Sequence, residues 1–164
     1  METKVNNPMR TFLIALLMTL ATQAGAEVMT YKDLKNLKHI EVIIQDSAKN
    51  ACWTNLTESR KYAEEKLRVA GATLFRPGRD KLVLGEYYGL VIEVRSRRSK
   101  SFNTCYGSMR IAISTPFSLN GKIHEATGFA YSSIFSGFRE NVNKGVIESI
   151  QEFFEQSKNG FALE

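Results

Sequence analysis

The segment from Tyr88 to Ser132 arranges its apolar residues in alternating runs that are separated only by short polar turns. Strands joined by such short turns run antiparallel, because a parallel connection needs a crossover of a dozen or more residues. The dipeptide Asn120-Gly121 lies between two of the runs and is the strongest short-range signal for a tight hairpin. The segment therefore predicts an antiparallel sheet with strands at Tyr88–Arg95, Thr104–Ser114 and Lys122–Ser132.

Another strand and two amphipathic helices flank this sheet in the sequence. His39–Gln45 alternates like a strand, and a helix begins near Asn55, with Glu58 three positions on as its capping partner. A second helix spans Arg139–Ser157, with apolar residues at helical spacing: Val142, Val146, Ile150 and Phe153. Two helices with one apolar stripe each are best buried on the same face of a sheet. The predicted fold class is α+β, a two-layer sandwich of order β-α-β-β-β-α. Short strands are also expected at Ala72–Phe75 and Lys81–Leu84.

Three finer expectations follow from side-chain patterns. The first helix carries an apolar stripe, with Val69 expected beside it: Leu56, Ala63, Leu67 and Ala70. On the last predicted strand, the small residues Ala126, Gly128 and Ala130 share a face that could accept a helix. The following segment, Ser132–Gly137, contains several turn-forming residues.

The first 26 residues have the three parts of a secretory signal peptide. Lys4 and Arg10 supply the positive start, Phe12–Ala21 is an apolar run, and Ala24-Gly25-Ala26 offers a small-residue cleavage site. The run is too short to cross a bilayer, which takes about 20 apolar residues. We expect a signal peptide at 1–26 and one α+β domain at 27–164. After cleavage we expect no transmembrane segment and a periplasmic or secreted product. The alternative is an uncleaved anchor or a buried N-terminal helix.

The predicted element order is similar to that of small cell-envelope modules in the lipopolysaccharide-assembly lipoprotein and in the N-terminal domain of the TolB family. The similarity covers the mature chain as element order alone. Glu27 stands where a lipoprotein would carry its lipidated cysteine, so the chain departs from that pattern. The resemblance implies an envelope module, and a fold of this kind does not fix a function.

Cys52 and Cys105 are the only two cysteines, and export would place them in an oxidising compartment. A Cys52–Cys105 disulfide is therefore expected, and a loop of this length would stabilise the fold by about 4 kcal/mol in the chain-entropy model. The alternative is a reactive thiol that works with His39 or His124. Trp53 follows Cys52 and is expected to pack over the bridge, with an exposed contact residue as the alternative.

The composition is that of one globular domain, with 164 residues, 43% of them hydrophobic and 24% charged. The formal net charge is +5, of which the predicted signal peptide carries +1, which leaves +4 on the mature part. This mildly basic balance is well short of a dedicated nucleic-acid binder, so no nucleic-acid partner is predicted.

Four cations lie within six residues at the end of the predicted strand Tyr88–Arg95 and in the loop that follows it, with only serines among them: Arg95, Arg97, Arg98 and Lys100. Placed on a hairpin loop, they could contact the phosphate or sulfate groups of an anionic lipid or glycan. The alternative is a solvated loop that blunts a sheet edge. A second basic turn, which is expected at the same end of the sheet, contains Arg76, Arg79 and Lys81.

No motif in the chain specifies a reaction. There is no nucleophile elbow, phosphate-binding glycine loop or metal-ligand spacing, so we predict no cofactor and no metal. His124 and Glu125 are neighbours on a predicted strand and point to opposite faces, with Glu93 as the third member of that set. His39 and Glu41 share a face, but such a pair is too common to define a site.

The leading interpretation is an exported, envelope-associated binding or accessory protein. It would act through a surface on an envelope protein or on an anionic lipid or glycan. The alternative is a small exported enzyme with a site assembled around His124 or His39. A cleft that holds either histidine with a carboxylate would favour the enzyme.

Overall fold

The computed structural model describes residues 31–158, so the predicted signal peptide lies outside the described residues. The element order is α1 Tyr31–Leu34, β1 Ile40–Asp46, α2 Leu56–Val69, β2 Tyr88–Arg98, β3 Cys105–Leu119, β4 Lys122–Gly137 and α3 Arg139–Lys158. From β1 onward this is the predicted order β-α-β-β-β-α, and the fold is α+β. The short helix α1 carries no strong pattern in the sequence and was not expected.

The four strands form one sheet in the order β1-β2-β3-β4. β1 pairs with β2 in parallel, because α2 and the segment that follows it bring the chain back across the sheet. The other two pairings are antiparallel and are closed by short turns. Asn120 and Gly121 form the predicted β3–β4 turn, with φ angles of +52° and +72°. Both residues thus adopt the left-handed conformation that Asn-Gly favours.

Both long helices pack on one face of the sheet, as predicted. The apolar stripe of α3 is buried at Val142, Val146, Ile150 and Phe153. α2 contributes Ala63 and Leu67 to the same core, whereas Val69, expected beside this stripe, is 73% exposed. The strands complete the core with a single side-chain parity: Ile40, Val42, Leu90, Ile92, Val94, Met109, Ile111 and Ile113. The other face of the sheet, the open face, points away from the helices.

Three strands are longer than predicted, and one of them, β3, continues past Ser114 to Leu119. β2 continues to Arg98 and β4 continues to Gly137, so Ser132–Gly137, which its turn-forming residues marked as a loop, is strand. The reason is pairing: Arg98 lies opposite Cys105, and Cys105 lies opposite Gly137. In contrast, the expected strand Ala72–Phe75 is reduced to a single bridge, and Lys81–Leu84 forms no strand.

The small side chains of β4 do not receive a helix, although their size suggested that face. Ala126 and Ala130 are exposed, whereas Phe129 and Tyr131 point towards α3. The ring of Phe129 packs 4.9 Å from that of Phe153, and the Tyr131 hydroxyl donates to Glu152 over 2.8 Å. Aromatic rings therefore fill the space between β4 and α3.

The predicted Cys52–Cys105 disulfide is present, with a Cα–Cα distance of 5.6 Å. Both cysteines are fully buried, and Trp53 beside them is only 3% exposed, as the packing interpretation predicted. The bridge fixes the segment that enters α2 to the first residue of β3. This tie lies at the end of the sheet where β2 finishes.

Candidate functional site: a basic groove on the open face

The open face carries three cross-strand rows near the end of β2. Glu93 lies opposite Arg110, Arg95 opposite Ser108, and Arg97 opposite Tyr106. On the next strand, Ser108 lies opposite Ile134. Residues directly opposite each other in a sheet share a face and lie within contact distance. The alternation of β2 therefore places Arg95 and Arg97 on the same side, two residues apart.

These rows border a shallow recess, which we call the open-face groove. Its lining residues are Ser47, Lys49, Arg95, Ser96, Arg97, Tyr106, Gly107, Ser108, Ile134, Phe135 and Ser136. Three of them are cations, several are serines, and none is a carboxylate. Tyr106 is 51% exposed and Ile134 is 90% exposed, so the groove also presents apolar surface. A site of this composition suits an anionic group attached to a less polar body.

The three groove cations are positioned in different ways. The amide of Lys49 donates to the carbonyl of Ser96 over 2.9 Å, so the chain after β1 runs on beside β2. Arg95 forms an ion pair with Glu93, which fixes its guanidinium over the open face. Within residues 31–158, no carboxylate pairs with Lys49 or Arg97.

Gly107 lies on β3 between the two residues that face Arg95 and Arg97. A Cβ at this position would stand 2.0 Å from the carbonyl oxygen of Arg95 and 2.7 Å from the Cα of Ser96. No side chain fits there, because the two backbones approach too closely. Glycine is therefore required at this position, where the paired strands β2 and β3 lie side by side beneath the groove.

The structure separates the four cations that the sequence grouped. Arg95 and Arg97 line the groove, but Arg98 points to the other side of β2. Its guanidinium donates to the carbonyl oxygens of Asn50 and Asn103 over 3.3 Å each and to Asn103 Oδ1 over 2.9 Å. Arg98 thus joins two loops, and Lys100 lies alone at the tip of the β2–β3 turn. The physical reason is that the strand extends to Arg98, so successive side chains alternate between faces.

Of the groove residues, reasoning from the sequence found only Arg95 and Arg97, and the most important ones that it missed are Lys49, Tyr106 and Ile134. Tyr106 could have been found, because Cys105 must point inward to form the disulfide and its neighbour then points outward. Ile134 was hidden by the serines and glycine around it, which made its segment resemble a loop. Lys49 carries no local signal, since its position depends on how the chain leaves β1.

The second recess lies at the opposite end of the sheet, and we call it the His39 cleft. It is lined by His39, Ile40, Glu41, Val42, Arg60, Glu64, Arg68, Ala72, Thr73, Leu74, Phe75, Arg76, Pro77, Arg79 and Asp80. The second basic turn therefore lies far from the groove, contrary to expectation. Leu74 bridges to Ile40, which pairs with the first residue of β2, whereas Arg97 lies near the end of that strand.

Two of the four arginines of the His39 cleft are engaged within the protein. Arg60 donates to the carbonyl oxygen of Val42, and Arg68 pairs with Glu64 over 3.2 Å. The carboxylate of Asp80 accepts from the backbone amide of Arg76. These contacts stabilise the cleft walls, and the Arg68–Glu64 pair offsets one positive charge. Arg76 and Arg79 pair with no carboxylate within residues 31–158, but Glu41, Glu64 and Asp80 line the same cleft.

His39 has a positive φ of +58°, and its Nδ1 atom is buried without a hydrogen-bond partner within the described residues. Beside it, the Tyr87 hydroxyl donates to Glu41 over 2.7 Å. Burial and this hydrogen bond raise the pKa of Tyr87 to about 12. Glu41 is therefore already bonded to a tyrosine that keeps its proton at physiological pH.

His124 lies on the part of the β3–β4 hairpin that extends beyond the start of β2. Its ring is 5.6 Å from that of its cross-strand neighbour Phe117, and it is exposed. Glu125 points to the opposite face, and Glu93 lies far along β2. The structure does not bring this acid–base set together.

Residues 31–158 contain no group of three or more histidine, cysteine and acidic residues that could hold a metal ion. Across the same residues, no helix is long and apolar enough to cross a membrane.

Comparison with known proteins adds little to this description. No family model matches the chain, and no curated protein matches it. One solved structure, titled "Crystal structure of uncharacterized protein", is similar over 73% of this chain and 90% of its own. The sequence identity is 9% and the TM-score is 0.37. A likeness of this size carries no argument about function, which must come from the site.

Proposed function

We propose that this protein is an exported binding or accessory protein of the cell envelope, and that it holds an anionic group in the open-face groove. The group is a phosphate or sulfate carried by a lipid headgroup or by a glycan. The observation that supports this most strongly is the lining of the groove. Lys49, Arg95 and Arg97 converge there, and no lining residue is a carboxylate.

The chemistry of the groove fits such a ligand in two ways. Arginine offers several N–H donors in a planar fork that matches the oxygens of phosphate and sulfate, and lysine adds a point charge. The exposed surfaces of Tyr106 and Ile134 would contact the less polar body that carries the anion. The serines beside them supply further hydrogen-bond donors.

Export is part of the proposal and is supported by two features of the chain. The first 26 residues have the pattern of a signal peptide, and the two cysteines are joined. Disulfides persist in oxidising compartments such as the bacterial periplasm and the extracellular space.

The test is binding of the purified chain to two probes at low salt. One probe is vesicles of phosphatidylglycerol with phosphatidylcholine, and the other is dextran sulfate. Arg95→Ser with Arg97→Ser should lower the affinity at least about tenfold, or 1.4 kcal/mol. The control, Lys38→Ser with Lys61→Ser, removes the same charge from exposed positions outside the groove and should leave the affinity unchanged.

The two probes distinguish the sources of the anion. Binding to the vesicles alone would identify a lipid headgroup, and binding to dextran sulfate alone would identify a glycan. Binding to both would assign the site to the shared anion. Failure to bind either probe, or equal losses in the groove and control variants, would overturn the proposal.

A second candidate function, a small exported enzyme, now rests on His39 alone. It is favoured by one observation: the cleft holds this histidine and the carboxylate of Glu41. The test is a screen of phosphate and glycosyl esters with the chain and with His39→Asn. Turnover that the variant lacks would support the enzyme, and no turnover would remove it.

A further inference from the structure

The two outer edges of the sheet are treated differently by the rest of the chain. At β1, the amide of Ile40 donates to Thr73 over 2.9 Å, and the amide of Phe75 donates to the carbonyl of Ile40 over 2.9 Å. Further along the same strand, Arg60 occupies the carbonyl of Val42. The first part of this edge, Ile40 to Val42, is therefore covered by backbone and by an arginine.

The outer edge of β4 has no comparable cover. The strand is 16 residues long, and within residues 31–158 no segment pairs with its outer side. Residues 126–138 contain neither a charged residue nor a proline. The β3–β4 register shifts once, at Gly128, and from Phe129 to the end of the strand the pairing is regular. Native proteins usually protect such edges with charges, proline, bulges or a covering element, because an open edge is a template for another strand.

An exposed apolar side chain lies in the middle of this uncharged stretch. Ile134 points to the open face and is 90% exposed, more than any other large apolar side chain among the described residues. Ala130 and Ser132 lie on the same face at alternate positions. Burial of one isoleucine side chain is worth about 1.5–3 kcal/mol, so a partner strand that covers Ile134 would gain stability from it.

We propose that two copies of this chain associate by antiparallel pairing of their β4 edges around a two-fold axis at Ser132. A two-fold axis that pairs identical antiparallel strands stands perpendicular to the sheet, so each face continues into the same face of the second copy. With Ser132 at the axis, the regular segment 129–135 of β4 lies on the same segment of the second copy, and the uncharged stretch 126–138 keeps charged residues out of the overlap.

In this register, Ala130 of each copy lies opposite Ile134 of the other. Each isoleucine gains a neighbour on its outer flank, while its inner flank still faces Ser108 and the groove, and the two serines meet at the axis. Lys122 and Glu125 fall outside the overlapping stretch, so no like charges are brought together. A second copy therefore supplies a matching strand by symmetry, as isologous interfaces do. The result is one continuous eight-stranded sheet with helices on one face.

This inference does not depend on the anion proposal, because it uses the pairing edge and not the groove cations. Its first test is sedimentation of the chain over a range of concentrations, where a dimer is expected. Ser132→Lys places two like charges opposite each other at the axis, which destabilises cross-strand pairs. It should raise the dimer dissociation constant at least about tenfold, or 1.4 kcal/mol. Ser118→Lys, at an exposed serine of β3 that lies outside the groove and opposite Ile123, is the control and should leave the dimer intact.

A cross-linking experiment tests the register. Directly opposite residues of antiparallel strands have Cα atoms about 4.5–5.5 Å apart, a span that a disulfide bridges. Under mild oxidation, Ser132→Cys should give a covalent dimer, and Ser108→Cys should not. A wild-type chain that stays monomeric, an unaffected dimer in Ser132→Lys, or equal cross-linking of the two cysteine variants would overturn the proposal. A thermal melt of each variant checks that it is folded.

Discussion

The open-face groove and the His39 cleft both contain several cationic side chains, but the groups around those cations differ. In the cleft, Arg60 and Arg68 are bound to a carbonyl and a carboxylate of the protein. In the groove, Lys49 and Arg97 pair with no carboxylate of the described chain, and only Arg95 has an acidic neighbour. Arg76 and Arg79 of the cleft also have no carboxylate partner within residues 31–158, but three acidic residues line the cleft and none lines the groove. The groove is thus the recess in which the positive charge is not offset by its own lining. A count of basic residues would not distinguish the two.

The comparison can be tested first through the disulfide, which lies beside the groove and far from the cleft. Cys52→Ser with Cys105→Ser releases a loop with a sequence separation of 53. We expect the free energy of unfolding to fall by about 4 kcal/mol in oxidising buffer. Denaturant unfolding measures it, and the reduced wild-type chain should match the variant. Equal stability of oxidised wild type and variant would show that the bridge contributes nothing.

The shape of the groove can be tested at Gly107. Gly107→Ala forces a Cβ against the backbone of Arg95, so β2 and β3 must move apart. We expect a loss of about 1–3 kcal/mol in the free energy of unfolding, as for other overpacked sites, together with weaker dextran sulfate binding. Gly128→Ala, in the next strand and with open space around its Cβ, is the matched control. Similar losses in both variants would contradict the close approach of the backbones.

The difference between free and engaged cations can be tested by removing one of each kind. Arg97→Ser should lower the affinity for dextran sulfate about fivefold to tenfold, which corresponds to about 1–1.4 kcal/mol. Arg68→Ser removes a cation that is already paired with Glu64 and should leave the affinity unchanged. Isothermal titration calorimetry measures both. A larger loss in Arg68→Ser would place the ligand in the cleft.

The smallest effect is expected at Tyr87, on the cleft side of the comparison. Its pKa in the folded chain is raised from 10.0 to about 12 by burial and by the bond to Glu41. The folded state therefore holds this proton more tightly than the unfolded state. The stability this contributes is fully present below pH 10 and is lost as the pH rises towards 12. In Tyr87→Phe, the free energy of unfolding should fall less over that window than in Tyr88→Phe. Identical pH profiles would contradict the assignment.

The sequence was sufficient for most of the fold. Alternation over Tyr88–Arg95, the Asn120-Gly121 turn and the stripe of α3 are local signals, and each led to the correct element. The disulfide followed from the number of cysteines and the predicted export. These features depend on residues close in the chain or on a choice with few alternatives.

The site was less predictable, because it depends on strand length and on faces. Arg98 and Arg97 are neighbours in the sequence, yet they point to opposite sides once β2 extends to pair with Cys105. Small residues at Ala126 and Ala130 suggested a helix contact, whereas the aromatic rings of Phe129 and Tyr131 occupy that face. Lys49 reaches the groove only through the path of the chain after β1. Such outcomes are set by pairing between distant segments, which a local pattern does not specify.

The central claim is that the open-face groove, and not the His39 cleft, is the anion site. The most direct measurement is a titration of the isotopically labelled chain with glycerol 3-phosphate, followed by backbone amide chemical shifts. The account predicts shifts concentrated at residues 95–97, 106–108 and 134–136. Shifts concentrated at residues 73–80, or no shifts at saturating probe, would contradict it.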